Sequence, residues 1–305
     1  MSQVAEKPSL GARDRLLAHI ALTKPRIVEL LLVTAIPTMF LAAQGLPSLR
    51  ATIAVFIGGA LAAMGANTLN SVYDRDIDAV MHRTGKRPAA MGLVSVRAGL
   101  FQGFVLTIAS AFFLWWWTNW LAAVLALAAV FLYAVGYTMW LKRRTPQNIV
   151  WGGAAGCMPV LIAWSAVTGS LSWAPIVLFL IVFFWTPPHY WPLAIKYRDD
   201  YAAAGIPMLP VVKSDRQVSG SILRYTAAMV ATSLVLIPVA PMGWVYAVAA
   251  TLLGTGFVAM ALRLARAARA GLAVERVAMQ LFHFSITYLA LLFLAVAVDP
   301  FLWRL

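Results

Sequence analysis

Long apolar runs, repeated nine times, constrain this chain more than any other feature. They cover residues 27–43, 51–70, 98–117, 121–140, 149–167, 174–193, 225–239, 242–262 and 282–298. A bilayer core of about 30 Å takes roughly 20 apolar residues per helical span. A helix is also one of the few structures that satisfies its own backbone polar groups in lipid. With 62% hydrophobic and only 11% charged residues, the chain lies far from the soluble average. The fold class that follows is all-α: a polytopic membrane protein with nine transmembrane helices in one bundle. Residues 1–22 read as a polar N-terminal tail and 23–300 as a single nine-helix domain.

A net charge of +13 would suggest nucleic acid in a soluble protein. Here its distribution gives another reason. Of the 24 Lys and Arg, all but Arg50 and Arg304 precede the first run or fall in alternate connections. By the positive-inside rule this sets a cytoplasmic amino terminus and, after nine spans, an external carboxyl terminus. The partner is then the lipid bilayer, with no nucleic acid, and the location a bacterial cytoplasmic (inner) membrane. Glu6 and Asp14 interrupt the basic residues ahead of the first run, unlike a cleavable signal or transit peptide. The lone Cys157 reads as a small buried thiol.

The charges that topology does not require are the acids. Five of the eleven Asp and Glu fall in two segments, Asp74, Asp76 and Asp78 after the second run and Asp199 and Asp200 after the sixth. Asn70, Asp74 and Asp78 recur every four residues, so on a helix they share a face, with Asp76 turned about 200° away. Arg83, Lys86 and Arg87 follow. Hard oxygen ligands of this kind suit Mg²⁺, which commonly takes one or two carboxylates plus substrate phosphates. Lys196 and Asp200 repeat the spacing in the second segment and share a face if the helix continues past Leu193. The bland reading of the Arg and Lys residues is that they anchor helix ends. It does not account for the carboxylates.

The run Asn70-x3-Asp74-x2-Ile77-Asp78-x2-Met81-x-Arg83-Thr84-x2-Arg87-x4-Gly92 resembles, position by position, the signature of the UbiA-type intramembrane prenyltransferases. Further segments resemble its haem-modifying branch, the protohaem IX farnesyltransferases. They are Thr23-Lys24-Pro25-Arg26, Tyr137-Thr138 with Leu141-Lys142-Arg143, residues 145–150, Pro188-His189-Tyr190-Trp191 and residues 196–201. Lys196 stands where other branches commonly carry Asp.

The resemblance implies a nine-helix bundle around a central cavity. It also implies transfer of a farnesyl group from farnesyl diphosphate to a vinyl group of haem B, with water addition, giving haem O. Asn70, Asp74 and Asp78 would hold Mg²⁺, and Asp200 would hold or orient metal. Lys196, Arg83, Arg87, Lys142 and Arg143 would meet diphosphate. Tyr137 and His189 would line the substrate site, His189 towards haem. A haem A synthase is the partner that would receive the product. Of the other histidines, His283 is the weaker haem candidate, and His19 and His82 carry no assigned role.

Other classes make different demands. A UbiA-type enzyme prenylating an aromatic quinone precursor would lack the haem-branch segments. A secondary transporter would use an intramembrane acid such as Glu29, near the midplane. A structural subunit or haem carrier leaves Asn70, Asp74 and Asp78 without a purpose.

Overall fold

The computed structural model describes residues 11–240 and 242–302, apart from the side chains of residues 26, 27, 29 and 30. Glu29's side chain and Arg304 therefore lie outside the described residues. A short helix, α1 (Ala12–Leu22), occupies the end of the stretch read as a polar tail, and buries Ala18 and Leu22. Then follow α2 (Pro25–Ala43), α3 (Leu49–Tyr73), α4 (Arg75–Val80), α5 (Val96–Trp117) and α6 (Trp120–Phe131). A π-helical segment, Leu132–Leu141, continues α6. The chain goes on through α7 (Asn148–Thr168), α8 (Trp173–Lys196), α9 (Arg198–Ala203) and α10 (Leu209–Val212). It ends with α11 (Asp215–Val239), α12 (Trp244–Arg269) and α13 (Glu275–Leu302).

Among the fully described residues eight helices are long and apolar enough to cross a bilayer. The remaining run lies on α2, a 19-residue helix whose fully described part is the apolar stretch Leu31–Ala43. The run at 121–140 was read as one regular helix, but after Phe131 it passes into the π-helical segment. That wider winding recurs at functional sites.

Helix starts follow local chemistry. Ser48, Ser95 and Asn119 each accept a hydrogen bond from the backbone three residues on, at 3.2, 3.2 and 3.0 Å. Ser214 and Gln217 form a capping box at α11. The start of α12 is capped from a distance: buried Asp299 of α13 accepts from Gly243 N at 2.5 Å and Tyr246 N at 2.9 Å. A carboxylate there compensates the positive helix end.

The spanning helices pack in sequence order, and α13 closes the ring on α2. Further contacts of α7 with α2 and of α8 with α13 run across it. Two large apolar cores result, one mainly among α2, α3, α6 and α7, the other mainly among α7, α8, α11, α12 and α13, and a small third one joins Ala18 and Leu22 of α1 to Ala89 and Val94. Small residues bring α3 and α5 close: a Cβ on Gly65 would stand 3.0 Å from Gly103 O, and one on Gly103 2.6 Å from a Leu69 methyl carbon. This packing fixes the end of α3, where the acidic face lies.

Candidate active site

The acidic face forms where α3 stops. Asp74 leaves the helix with φ −85° and ψ 8°, yet α4 resumes at once and Asp78 N donates to Asp74 O at 2.8 Å. The four-residue spacing therefore survives the break. Asn70, Asp74 and Asp78 are buried. Asp76 points away, its side chain 60% exposed.

Cations from three other segments meet this face. Lys142 Nζ donates to Asp74 Oδ2 at 2.5 Å. Arg87 Nη1 reaches both Asp78 oxygens, at 2.9 and 2.8 Å. Asn70 turns its Nδ2 to Asp74 Oδ2 at 2.7 Å and to Thr138 Oγ1 at 3.0 Å. Its Oδ1 is left for Lys24 Nζ, at 2.5 Å. Thr138 is held in turn by Tyr133 O, five residues back, at 2.8 Å. The Thr138 hydroxyl donates this bond within the π-helical segment, which so delivers a hydroxyl to the site.

Three cations (Lys24, Lys142, Arg87) face two carboxylates (Asp74, Asp78). Burial first, and then repulsion from Arg87, lowers the pKa of Lys24 to about 7. Asp74 Oδ1 is buried without a hydrogen-bond donor, and Arg143 Nη2 stands 3.7 Å away. Such an oxygen is costly to leave alone and is suited to a hard cation. Among the described residues no three His, Cys, Asp or Glu side chains converge on one metal position. The donor set of two carboxylates and an amide fits Mg²⁺ whose shell is completed by other oxygens.

The other candidate residues are distributed differently. Arg143 pairs with Asp76 at 2.8 and 2.7 Å, which holds the Asp76 carboxyl down at about 2, and its guanidinium lies over the Tyr73 ring. Arg83 reaches across to the second long connection. Its Nη2 is 3.3 Å from Tyr201 Oη, its guanidinium lies over Tyr197, and its backbone N donates to Asp200 Oδ2 at 3.4 Å. Asp200 Oδ1 is 3.3 Å from His82 Nδ1. His82, left without a role in the sequence, thus has a partner 118 positions away. Lys196 is exposed beside the Tyr197 ring. The helix does not run through as one piece: Tyr197 breaks it between α8 and α9.

The aromatic side of the site is tightly built. His189 is buried, donates to or accepts from Ser285 Oγ through Nδ1 at 2.7 Å, and is stacked between Trp185 and Phe282 at 4.2 and 4.7 Å. Trp185 Nε1 donates to Ser285 O at 2.8 Å. His283 is exposed and bonded to Met279 O of its own helix. Tyr137 packs on Gly152, where a Cβ would stand 2.2 Å from its ring, and stacks on Tyr133. Sequence reasoning gave no role to Lys24, Thr138 or Ser285. Lys24 stood in a quoted segment, but its left-handed backbone has no local sequence signal.

Comparison with known proteins agrees with this geometry. A protein called protoheme IX farnesyltransferase from Streptomyces avermitilis is 54% identical over 293 residues, 96% of this chain and 95% of that one. One of the same name from Cutibacterium acnes is 53% identical over 98% of this chain and 89% of that one. A solved structure of digeranylgeranylglyceryl phosphate synthase has the same fold, with TM-score 0.77 at 14% identity, covering 94% of this chain and 99% of that one. So does a UbiA homologue from Archaeoglobus fulgidus bound to GPP and Mg²⁺, with TM-score 0.62 at 17% identity, covering 92% of this chain and 100% of that one. The model of the UbiA prenyltransferase family matches residues 31–286. A helical membrane bundle with this acidic face, this match and these relatives belongs to the UbiA prenyltransferase family.

Proposed function

We propose that this chain transfers the farnesyl group of farnesyl diphosphate to a vinyl group of haem B and adds water there, releasing diphosphate and forming haem O. The observation that carries the reading is the full-length similarity, above half identical, to proteins named for that reaction. The buried Asn70, Asp74 and Asp78 face supports it chemically. The basic connections at the site's end support a bacterial cytoplasmic membrane as the location, amino terminus inside. A haem A-forming enzyme is the expected consumer of the product.

Asn70, Asp74 and Asp78 would hold Mg²⁺, and Asp74 Oδ1 has no hydrogen-bond partner of its own. When bound, the ion supplies Lewis-acid stabilisation of the departing diphosphate. Lys142 and Arg87, which pair with Asp74 and Asp78, would neutralise phosphate oxygens, Arg87 through its planar fork. Arg83 and Asp200 tie the two long connections together over this end, with His82 assisting. Lys196, exposed on the second connection, meets the outer phosphate. The apolar, aromatic interior keeps water from the allylic cation until it has reached the vinyl carbon, since ring faces attract cations. The chain cation that results on the porphyrin side takes hydroxide from water, and a proton leaves.

Two substitutions separate these roles. Lys196→Ala should raise the apparent KM for farnesyl diphosphate about fivefold, with the Mg²⁺ dependence nearly unchanged. A large shift in the Mg²⁺ requirement would place Lys196 in support of the metal instead. His189→Ala should weaken haem B binding and change its absorption spectrum, while leaving affinity for a farnesyl thiodiphosphate within about twofold. An unaltered haem spectrum in the folded variant would leave His189 as packing between Trp185 and Phe282.

Acceptor choice tests the reading as a whole. The purified protein, given farnesyl diphosphate and Mg²⁺, should farnesylate haem B and leave 4-hydroxybenzoate unchanged. A farnesylated hydroxybenzoate would move the chain to the quinone-precursor branch.

A further inference from the structure

We propose that Ser285 is a positioning residue for the acceptor substrate: its hydroxyl fixes His189 in one tautomer, protonated at Nδ1, so that Nε2 presents a lone pair to the iron of haem B. The inference deepens the haem reading above and rests on it.

Hydrogen counting at Ser285 is the first ground. A serine hydroxyl has one hydrogen to give, and a neutral imidazole carries its hydrogen on one nitrogen only. Ser285 Oγ donates to Phe282 O at 2.6 Å, and a carbonyl oxygen has no hydrogen to offer in return. The hydroxyl's hydrogen is therefore taken, and the 2.7 Å contact between Ser285 Oγ and His189 Nδ1 requires the ring to donate. The opposite arrangement would turn the hydroxyl to Nδ1 and leave two oxygens facing each other at 2.6 Å with no hydrogen between them. With Nδ1 protonated, Nε2 is left as an acceptor.

The second ground is how the ring is held. Trp185 and Phe282 cover its two faces, with planes within 15° and 23° of parallel. Trp185 Nε1 donates to Ser285 O, so one residue of α13 pins two rings of α8 that lie one turn apart. Only the imidazole edge away from Ser285 is then left for a ligand, and Nε2 lies on that edge. Among the described residues Nε2 has no hydrogen-bond partner, and it is not one of the polar atoms enclosed without one. It therefore faces open space. Metal-bound histidines are commonly set in this way, the second nitrogen donating to an oxygen that fixes the tautomer and the direction of the ring. A neutral imidazole nitrogen is also a regular ligand of haem iron.

The tautomer is read by nitrogen-15 solid-state NMR of haem-free, histidine-labelled protein in lipid. His19→Gln, His82→Gln and His283→Gln together leave His189 as the one ring observed. Its Nδ1 should resonate as a protonated nitrogen and its Nε2 as an unprotonated one. Ser285→Ala in the same background should populate the Nε2-protonated form as well, and Ser285→Thr, which keeps a hydroxyl, should restore the single form. With ferric haem B added to the labelled parent, pulsed electron paramagnetic resonance should detect hyperfine coupling between iron and a histidine nitrogen, lost in His189→Ala. Ser285→Ala should lower haem B affinity about tenfold. A haem-free ring protonated at Nε2 would overturn the inference, as would unchanged haem affinity in Ser285→Ala. Parent protein that makes haem O with no histidine nitrogen coupled to iron would overturn it alone, and this arm needs no variant to fold. Protein that binds no haem B would remove the reading beneath it, and the inference with it.

Discussion

Asp74→Asn and Asp78→Asn should each lower turnover at least about a hundredfold, whereas Asp76→Asn should stay within about threefold of the parent. All three changes remove one negative charge from the same five-residue stretch, so the contrast isolates position from charge. Asp74 and Asp78 are buried and face Lys142 and Arg87. Asparagine keeps the side chain's size and one acceptor oxygen but loses the charge that would hold Mg²⁺. Asp76 is exposed and pairs with Arg143, and such surface pairs contribute about 0–1 kcal/mol. The measurement is kcat in lipid nanodiscs, with helical content and thermal melting checked for each variant. Equal losses from all three substitutions in folded protein would contradict the face.

Gly65→Val should destabilise the bundle by about 3 kcal/mol and remove most activity through the position of the site. A Cβ on Gly65 would lie 2.6 Å from Thr107 Oγ1, 3.0 Å from Gly103 O and 3.1 Å from Thr107 N. Two of these are backbone atoms of α5 and cannot turn aside, so α3 itself must move. The helix that moves is the one that carries Asn70 and ends at Asp74. Gly59 on the same helix has open space where a Cβ would stand, so Gly59→Ala serves as the control and should melt at or above the parent temperature. Thermal melting in detergent, read beside kcat, checks both. Parent-like melting of Gly65→Val would mean that α3 and α5 are not held by this contact.

The membrane helices were legible because apolar length is a local property, and seven of the nine runs lie within regular α-helices of the structure. The acidic face was legible for the same reason, since a four-residue spacing tolerates one break at Asp74. The features that sequence did not disclose all depend on distant partners. Nothing near His82 announces Asp200, and nothing near Lys24 announces Asn70. The π-helical winding at Leu132–Leu141 spares no proline or charge to mark it, yet it is what brings Thr138 to Asn70. Asp299, an acid directly after the last apolar run, became a cap only once α12 and α13 were packed. Residues expected to act as one group of cations also divide: Lys142 and Arg87 sit on the buried carboxylates, while Arg143 and Arg83 are engaged by Asp76 and by the second connection.

The most direct test of the account is the mass of the product. Purified protein in nanodiscs, supplied with haem B, farnesyl diphosphate and Mg²⁺ in water enriched in oxygen-18, should convert haem to a species heavier by a farnesyl group and one hydroxyl. That hydroxyl should carry the oxygen-18 of the solvent, and diphosphate should appear in equal amount. Haem recovered unchanged, with farnesyl diphosphate intact and the protein folded, would contradict the account at its centre.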